Sequence, residues 1–459
     1  MKHLFLTFLF LFLTIANSSV FAQETLSLDE YIGYVKQFHP FVKQANISLN
    51  ESQAKLLKAR GAFDPQLGVD FKEKTVKNSP YYERFNAAFT FPTPLGISLK
   101  AEISEADGVL LNPENTVSGE QLYALGADID LGKGLLANAR TITLKQAKRF
   151  VQQAEEENKL QINEILEEAT HAFLDWYAAY RQWLVLEKFV ENAAFRFKGV
   201  KKRVLTGDLA AIDSIEARIA YNNRVLMQEQ SRLKLKAAAF NASNFLWLED
   251  QPLEIKDSTI PSIDEDAFSQ SFTPSSLPLE NHPKIKVLDY KVAQGRLERQ
   301  LQRNNLLPEI KLSYRWLSSQ NPLQQWQAAL DPNNNTTGLK VKLPLFLRKE
   351  RANLKLASLK LNDLRLAREQ ARLDLNNKLA TLEAKSNSLS NQVNLAQKIT
   401  ADYRRLFNGE QKKFTLGESS LFLVNSREAN YLKAAQKAIE IELKQRKTLL
   451  SYYYQSAFN

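Results

Sequence analysis

Few side chains in this sequence are arranged to do chemistry. Three histidines follow the first 22 residues, His39, His171 and His282, and the chain has no cysteine. No two of them stand at a metal-ligand spacing such as His-x-x-x-His. Two belong to a repeated His-Pro pair, where a structural role at a helix bend is the simpler reading. No Gly-rich phosphate loop, nucleophile elbow or convergent carboxylate pair appears, so neither an enzyme nor a cofactor is expected. The acidic pair that stands out is Asp213 and Glu216, one helical turn apart and therefore on one helix face. Carboxylates so placed attract cations and repel copies of themselves. The plainer alternative is that they are solvated, or paired with Arg218 or Lys413.

The chain that carries these residues is written twice. His39-Pro40 is followed by Pro65, and His282-Pro283 by Pro308, both at an offset of 243, with Arg60 and Arg303 in agreement. Arg203-Val-Leu-Thr-Gly207-Asp208 recurs as Lys413-Phe-Thr-Leu-Gly417-Glu418 at offset 210. Between them, Gly126-Ala-Asp-Ile-Asp-Leu131 pairs with Gly338-Leu-Lys-Val-Lys-Leu343 at offset 212. Landmarks in one order argue for duplication of one structural unit, with loops of different length. We read residues 1–22 as a secretory signal, with Lys2 before an apolar run and Val20-Phe21-Ala22 as the cleavage site. The first repeat is 23–248, a Pro-, Ser- and acid-rich linker runs over 249–279, and the second repeat is 280–459.

Each half opens with a helical segment, Leu26 to Arg60 and Asn281 to Arg303. Strands with period-two alternation follow, Leu67–Phe71 and Ile310–Trp316. After polar turns at Asn112–Thr116 and Asp331–Gly338, a returning strand leads into a very long helix. Leu135–Thr206 and Phe346–Leu416 hold no Pro, and at 1.5 Å per residue each spans on the order of 100 Å. Leu375, Leu382, Leu389, Ala396 and Tyr403 recur every seven residues, the spacing of a coiled-coil seam. Gly207 and Gly417 then break the helices, and shorter ones return over Ala210–Trp247 and Ser420–Tyr454. Aromatic residues near the strands (Tyr81, Tyr82, Phe89, Phe91, Tyr314, Trp316, Trp326) suit the interfacial girdles of a membrane barrel; Asp64 and Asp70 would be solvated in its lumen.

The formal charge of +10 is mild for 459 residues and its charges are interleaved along helices, so a nucleic-acid partner is not expected. No stretch after the leader is long and apolar enough for a transmembrane helix, so membrane insertion would have to use a β-barrel. Two strand pairs cannot close one, and seams of this length cannot be buried within one chain. Both demand neighbouring copies. The alternative of another class is a non-conducting periplasmic coiled-coil scaffold or tether, which would need no lipid-facing strands.

With these motifs in place, the chain resembles the TolC-type outer-membrane efflux family, the outer membrane factors. The resemblance runs from Leu26 to Phe458. It rests on Leu26-Ser-Leu-Asp-Glu30, the two His-Pro pairs, Leu343-Pro344-Leu345-Phe346 with its counterpart Leu131-Gly-Lys-Gly-Leu-Leu136, and the two Arg/Lys-x-x-x-Gly-Asp/Glu turns. It implies a mixed α and β membrane protein: a homotrimer with a β-barrel among outer-membrane lipids of a Gram-negative cell and a periplasmic α-helical, coiled-coil barrel. It also implies a passive channel of a tripartite efflux or type I secretion system, with a periplasmic adaptor (membrane fusion) protein and an inner-membrane pump of RND or ABC type as partners. The tips at Arg203, Gly207, Asp208 and at Lys413, Gly417, Glu418 would dock the adaptor.

Two departures from the family bear on function. The first half has room for an extra hairpin, Phe85–Phe91 and Ile97–Ile103 around Pro92-Thr-Pro-Leu-Gly96, which could join the barrel or lie outside it. Some relatives carry acidic gate residues six and nine positions after the second tip glycine, where this chain has Leu423 and Ser426. Their first-half equivalents are Asp213 and Glu216. The candidate gate is therefore either these acids or an apolar collar of Phe422, Leu423 and Val424.

Overall fold

The computed structural model describes residues 24–108, 111, 121–134, 137–273, 278–321 and 330–456. The expected signal peptide, the turn at 112–116, Leu135, Leu136, Trp326 and Phe458 lie outside them. The described residues fall into two compact units. One takes the residues up to Lys43, Gln161–Leu277 and Asn377–Asn459; the other takes Gln44–Leu160 and Pro278–Asn376.

The opening helix is two helices. Ser27 and Glu30 form a reciprocal capping box at the start of α1 (Leu28–Phe38). The chain breaks at His39, which is extended (φ −63°, ψ 132°) because a residue before proline avoids the helical region. His39 then caps α2 (Pro40–Arg60), its Nδ1 accepting from the Phe41 amide at 3.3 Å. In the second half His282 Nδ1 accepts from the Lys284 amide at 3.1 Å and caps α6 (Pro283–Asn304). The duplicated His-Pro is thus a duplicated helix start.

The long helices are α3 (Ala139–Leu205, 67 residues) and α7 (Arg348–Thr415, 68 residues), each continuous. They are followed by α4 (Ala211–Ser243) and α8 (Leu421–Ser456). Leu375, Leu382, Leu389, Ala396 and Tyr403 of α7 are all at least half-buried, and so are Leu379, Ser386, Val393, Thr400 and Phe407 between them. Alternating steps of four and three make a coiled-coil seam. Its lower part meets α8, where Phe407 stacks on Tyr431 and Thr400 Oγ1 donates to the Ala434 carbonyl at 3.2 Å.

The unit that contains α1, α4 and α8 has its core around Tyr31, Phe173, Trp176, Leu450 and Tyr454. The segment expected as a linker contributes to it. Within it are β7 (Gln251–Pro252), which pairs with β6 (Trp247–Leu248) just before it, the strand β8 (Ile260–Ser262) paired with β1 (Thr25–Ser27), and α5 (Glu265–Ser271), whose Phe268 enters the core together with Phe272. Burial pushes the Tyr454 hydroxyl up to about 12.

The other unit holds one six-stranded antiparallel sheet in the order β10-β9-β5-β4-β3-β2. Its strands are β2 (Gln66–Val76), β3 (Ser79–Pro92), β4 (Ile97–Gly108), β5 (Leu122–Asp130), β9 (Glu309–Ser318) and β10 (Asn335–Lys342). The extra hairpin is β3–β4, and it is fully integrated: β3 pairs with β2 along one side and β4 with β5 along the other. Its turn is anchored too. Thr141 Oγ1 and Asn138 Nδ2 donate to the Pro94 carbonyl at 3.0 and 3.3 Å, and Gly96 supplies the positive φ (75°) that the turn requires. Of the two alternatives left open by the sequence, the hairpin joins the sheet, which therefore has six strands per chain among the described residues.

Candidate functional site

The two tips have one backbone. Gly207 has φ 81° and Gly417 has φ 80°. The Asp208 amide donates to the Arg203 carbonyl at 2.8 Å and the Glu418 amide to the Lys413 carbonyl at 2.9 Å. The Gly207 and Gly417 amides reach Val204 and Phe414 at 3.1 and 3.2 Å. Each tip is a Schellman motif, whose αL residue favours glycine because it lacks Cβ. Asp208 and Glu418 are exposed beyond the turns. Arg203 lies over the Phe414 ring at 5.7 Å, linking one tip to the other. Beneath them Val200, Ala217 and Leu421 form a small apolar cluster.

Past the tips, the candidate gate residues part company. Phe422 and Leu423 are exposed, whereas Val424 is fully buried within its own chain, so Val424 does not belong to a collar. Glu216 accepts from Asn425 Nδ2 at 3.1 Å, rather than pairing with Arg218 or Lys413. Asn425 in turn accepts from Arg196 Nη1 at 2.9 Å. Arg196 grips Glu428, which has no solvent exposure, at 2.5 Å, and Arg224 approaches the same carboxylate at 3.5 Å. This buried cluster joins α3, α4 and α8. Asn425 and Glu428 lie over 200 residues from Arg196, Glu216 and Arg224 in sequence, so nothing local marks them as partners.

The sheet is the second site, and register sorts its residues onto two unlike faces. One face carries Leu67, Val69 and Phe71, then Phe85, Ala87, Phe89 and Phe91, and opposite these Ile103, Ala101 and Leu99. It continues through Leu125, Ala127 and Ile129 to Trp316, Tyr314 and Leu312, then to Leu339 and Val341. With Ile97, Tyr123 and Ile310 on the same face, this apolar band covers seven residues of each inner strand, roughly 20 Å, close to the ~25 Å band of an outer-membrane barrel. Phe89, Phe91, Leu99, Leu339 and Val341 are exposed on it. The other face is polar: Asp70, Lys72, Arg84, Asn86, Lys100, Glu102, Asp128, Lys311, Arg315 and Lys340 lie there by alternation. Tyr82 is on this side, away from the aromatic residues expected to flank it. Arg315 binds Asp128 at 2.7 Å and Lys100 reaches the same carboxylate at 3.1 Å. Among the described residues, no helix is long and apolar enough to cross a membrane, and no group of His, Asp and Glu forms a metal site.

Residues 275–451 match the outer membrane efflux protein family. No curated protein matches the sequence. The fold is similar to that of the transmembrane channel CusC, at 15% identity and a TM-score of 0.69, covering 94% of this chain and 92% of that one. It is also similar to the outer membrane channel CmeC of Campylobacter jejuni (14% identity, TM-score 0.65, 94% and 86% covered). A third likeness is to the open state of the MtrE outer membrane channel of Neisseria gonorrhoeae (12% identity, TM-score 0.64, 93% and 88% covered). The family match covers the second repeat, and the described chain shares the fold of these outer membrane channels, in agreement with the duplicated His-Pro and Gly-Asp/Glu landmarks.

Proposed function

We propose that the protein is the outer-membrane channel of a tripartite efflux or type I secretion system. In this reading three chains form a passive duct from a periplasmic adaptor and an inner-membrane pump to the outside. The observation that carries it is the two-faced sheet with open edges. One face is fit for lipid and the other for water, yet among the described residues β2 and β10 each have a strand neighbour on one side only. Open edges do not occur in lipid, because unpaired backbone groups have no water to satisfy them. The edge strands run in opposite directions, so β10 of one copy can pair antiparallel with β2 of the next. Three copies would close eighteen strands, a size that leaves an aqueous lumen.

The helices support the same assembly. Ile212, Ile219, Leu226 and Leu233 are exposed every seven residues along α4, and Leu359, Leu366 and Leu373 likewise along α7. These are coiled-coil seams that their own chain leaves bare. In this reading the repeats 23–248 and 280–459 act as two pseudo-equivalent staves of one tube.

The tips Arg203–Asp208 and Lys413–Glu418 are the proposed adaptor docks: compact, exposed and alike, they offer six quasi-equivalent sites per trimer. Asp213 and Glu216, with Phe422 and Leu423, are the proposed gate. Neutralising them as Asp213→Asn and Glu216→Gln should weaken block by divalent cations added on the tip side. Unchanged block would leave the apolar pair as the better account. The assembly itself is tested by cross-linking and mass measurement in detergent. Three chains are expected; a stable, fully helical monomer would contradict the reading.

A further inference from the structure

We propose that the polar face of the sheet is an anion-attracting lining, and that the duct favours negatively charged solutes; this rests on the channel reading above. The six strands carry eight basic residues, and the register puts every one of them on the polar face. Their nine acids are divided instead. Five share the polar face, while Glu73, Glu83, Glu105 and Asp107 are on the apolar face towards the β2–β3 and β4–β5 loop ends of their strands. The polar face therefore has a surplus of three positive charges per chain, nine in three copies.

Ion pairing does not erase the surplus. Asp128 is held by both Arg315 and Lys100, Asp70 by Lys72 at 3.4 Å, and Glu309 by Lys311 at 3.2 Å. The acids are thus largely neutralised where they stand, and the excess lies with residues such as Arg84, Lys340 and Lys342. On this face two cross-strand pairs are like-charged outright: Lys72 opposite Arg84, and Lys311 opposite Lys340. Like charges directly opposite one another destabilise a sheet, so packing alone does not account for them. A passing anion relieves that repulsion. At physiological salt the field of such a wall reaches roughly 8 Å, so the preference acts near the wall and weakens as salt rises.

The test is the reversal potential of the reconstituted full-length protein in a planar bilayer under a gradient of dilute KCl. The parent is compared with K72Q/R84Q/K340Q/K342Q, which takes the face from three positive charges to one negative. Relative to the parent, the variant's reversal potential should move towards potassium, and the difference should shrink in concentrated KCl. K340Q/K342Q, confined to β10, should show about half the shift and serves if the fourfold variant fails to insert. Identical reversal potentials in parent and variants would overturn the proposal. Absence of any conductance would instead overturn the channel reading beneath it.

Discussion

Arg196 and Glu428 meet at 2.5 Å in a position where the carboxylate has no contact with solvent. With Arg224 at 3.5 Å, one buried acid holds two guanidinium groups from two other helices. Removing the acid leaves both cations buried without it, a loss of about 3–5 kcal/mol for a buried pair. Glu428→Leu should therefore lower the denaturation midpoint of the helical signal sharply, and Glu428→Gln, which keeps an acceptor, less so. Equal stability of Glu428→Leu and parent would mean that the cluster does not hold these helices together.

At the tips, a side chain at Gly207 or Gly417 meets nothing within 4 Å, so the cost of substitution is backbone strain alone. A non-glycine residue at these φ values costs about 1–2 kcal/mol, too little to unfold helices of this length. The variant Gly207→Val with Gly417→Val should reach the membrane and assemble, while adaptor binding and export are lost. Normal export with normal adaptor capture would show that the turns are merely helix stops.

Acid should destabilise the protein before its carboxylates titrate. Burial holds His39 and His171 below the ordinary histidine range. Each is neutral in the fold but accepts a proton near pH 6.5 when unfolded. The unfolded chain then binds more protons, so stability is fully present above about pH 6.5 and falls as pH drops through the depressed folded values. Denaturation midpoints at pH 7.5 and 5.5 check this. The difference should shrink in His39→Gln, which keeps a side-chain acceptor but does not titrate. A midpoint independent of pH would count against buried neutral histidines.

The two faces of the sheet should respond oppositely to one charge. Phe89→Arg places a guanidinium on the apolar face, which costs about 2–4 kcal/mol at the middle of a bilayer. Asn86→Arg puts the same group three residues away on the polar face. The first should reduce the trimer recovered from membranes and the second should leave it near the parent level. Equal recovery would mean that the Phe89 face does not meet lipid.

Much of this was legible in the sequence because it is periodic or punctuated. Period-two alternation marks β2 and β9, the glycines at 207 and 417 mark the tips, and heptads mark α7. The break at His39 could have been read from Pro40, yet the apolar pattern runs through it and suggests one helix. Whether β3–β4 joins the sheet depends on which strands become neighbours, and alternation within a strand carries no such information. The Arg196–Glu428 pair and the burial of Val424 depend on how three helices turn towards one another. The tip-proximal acids illustrate the same limit: spacing put Asp213 and Glu216 on one face, but only packing pairs Glu216 with Asn425.

The central claim is that copies of this chain close into a water-filled duct through a membrane. Single-channel recording of the detergent-extracted protein in a planar bilayer tests it most directly. Discrete, reproducible conductance steps are predicted from the three-chain fraction, and they should be abolished by Leu339→Pro, which places a proline inside the open edge strand β10 where the next copy would pair. A membrane-inserted, three-chain protein that passes no ions would contradict the account.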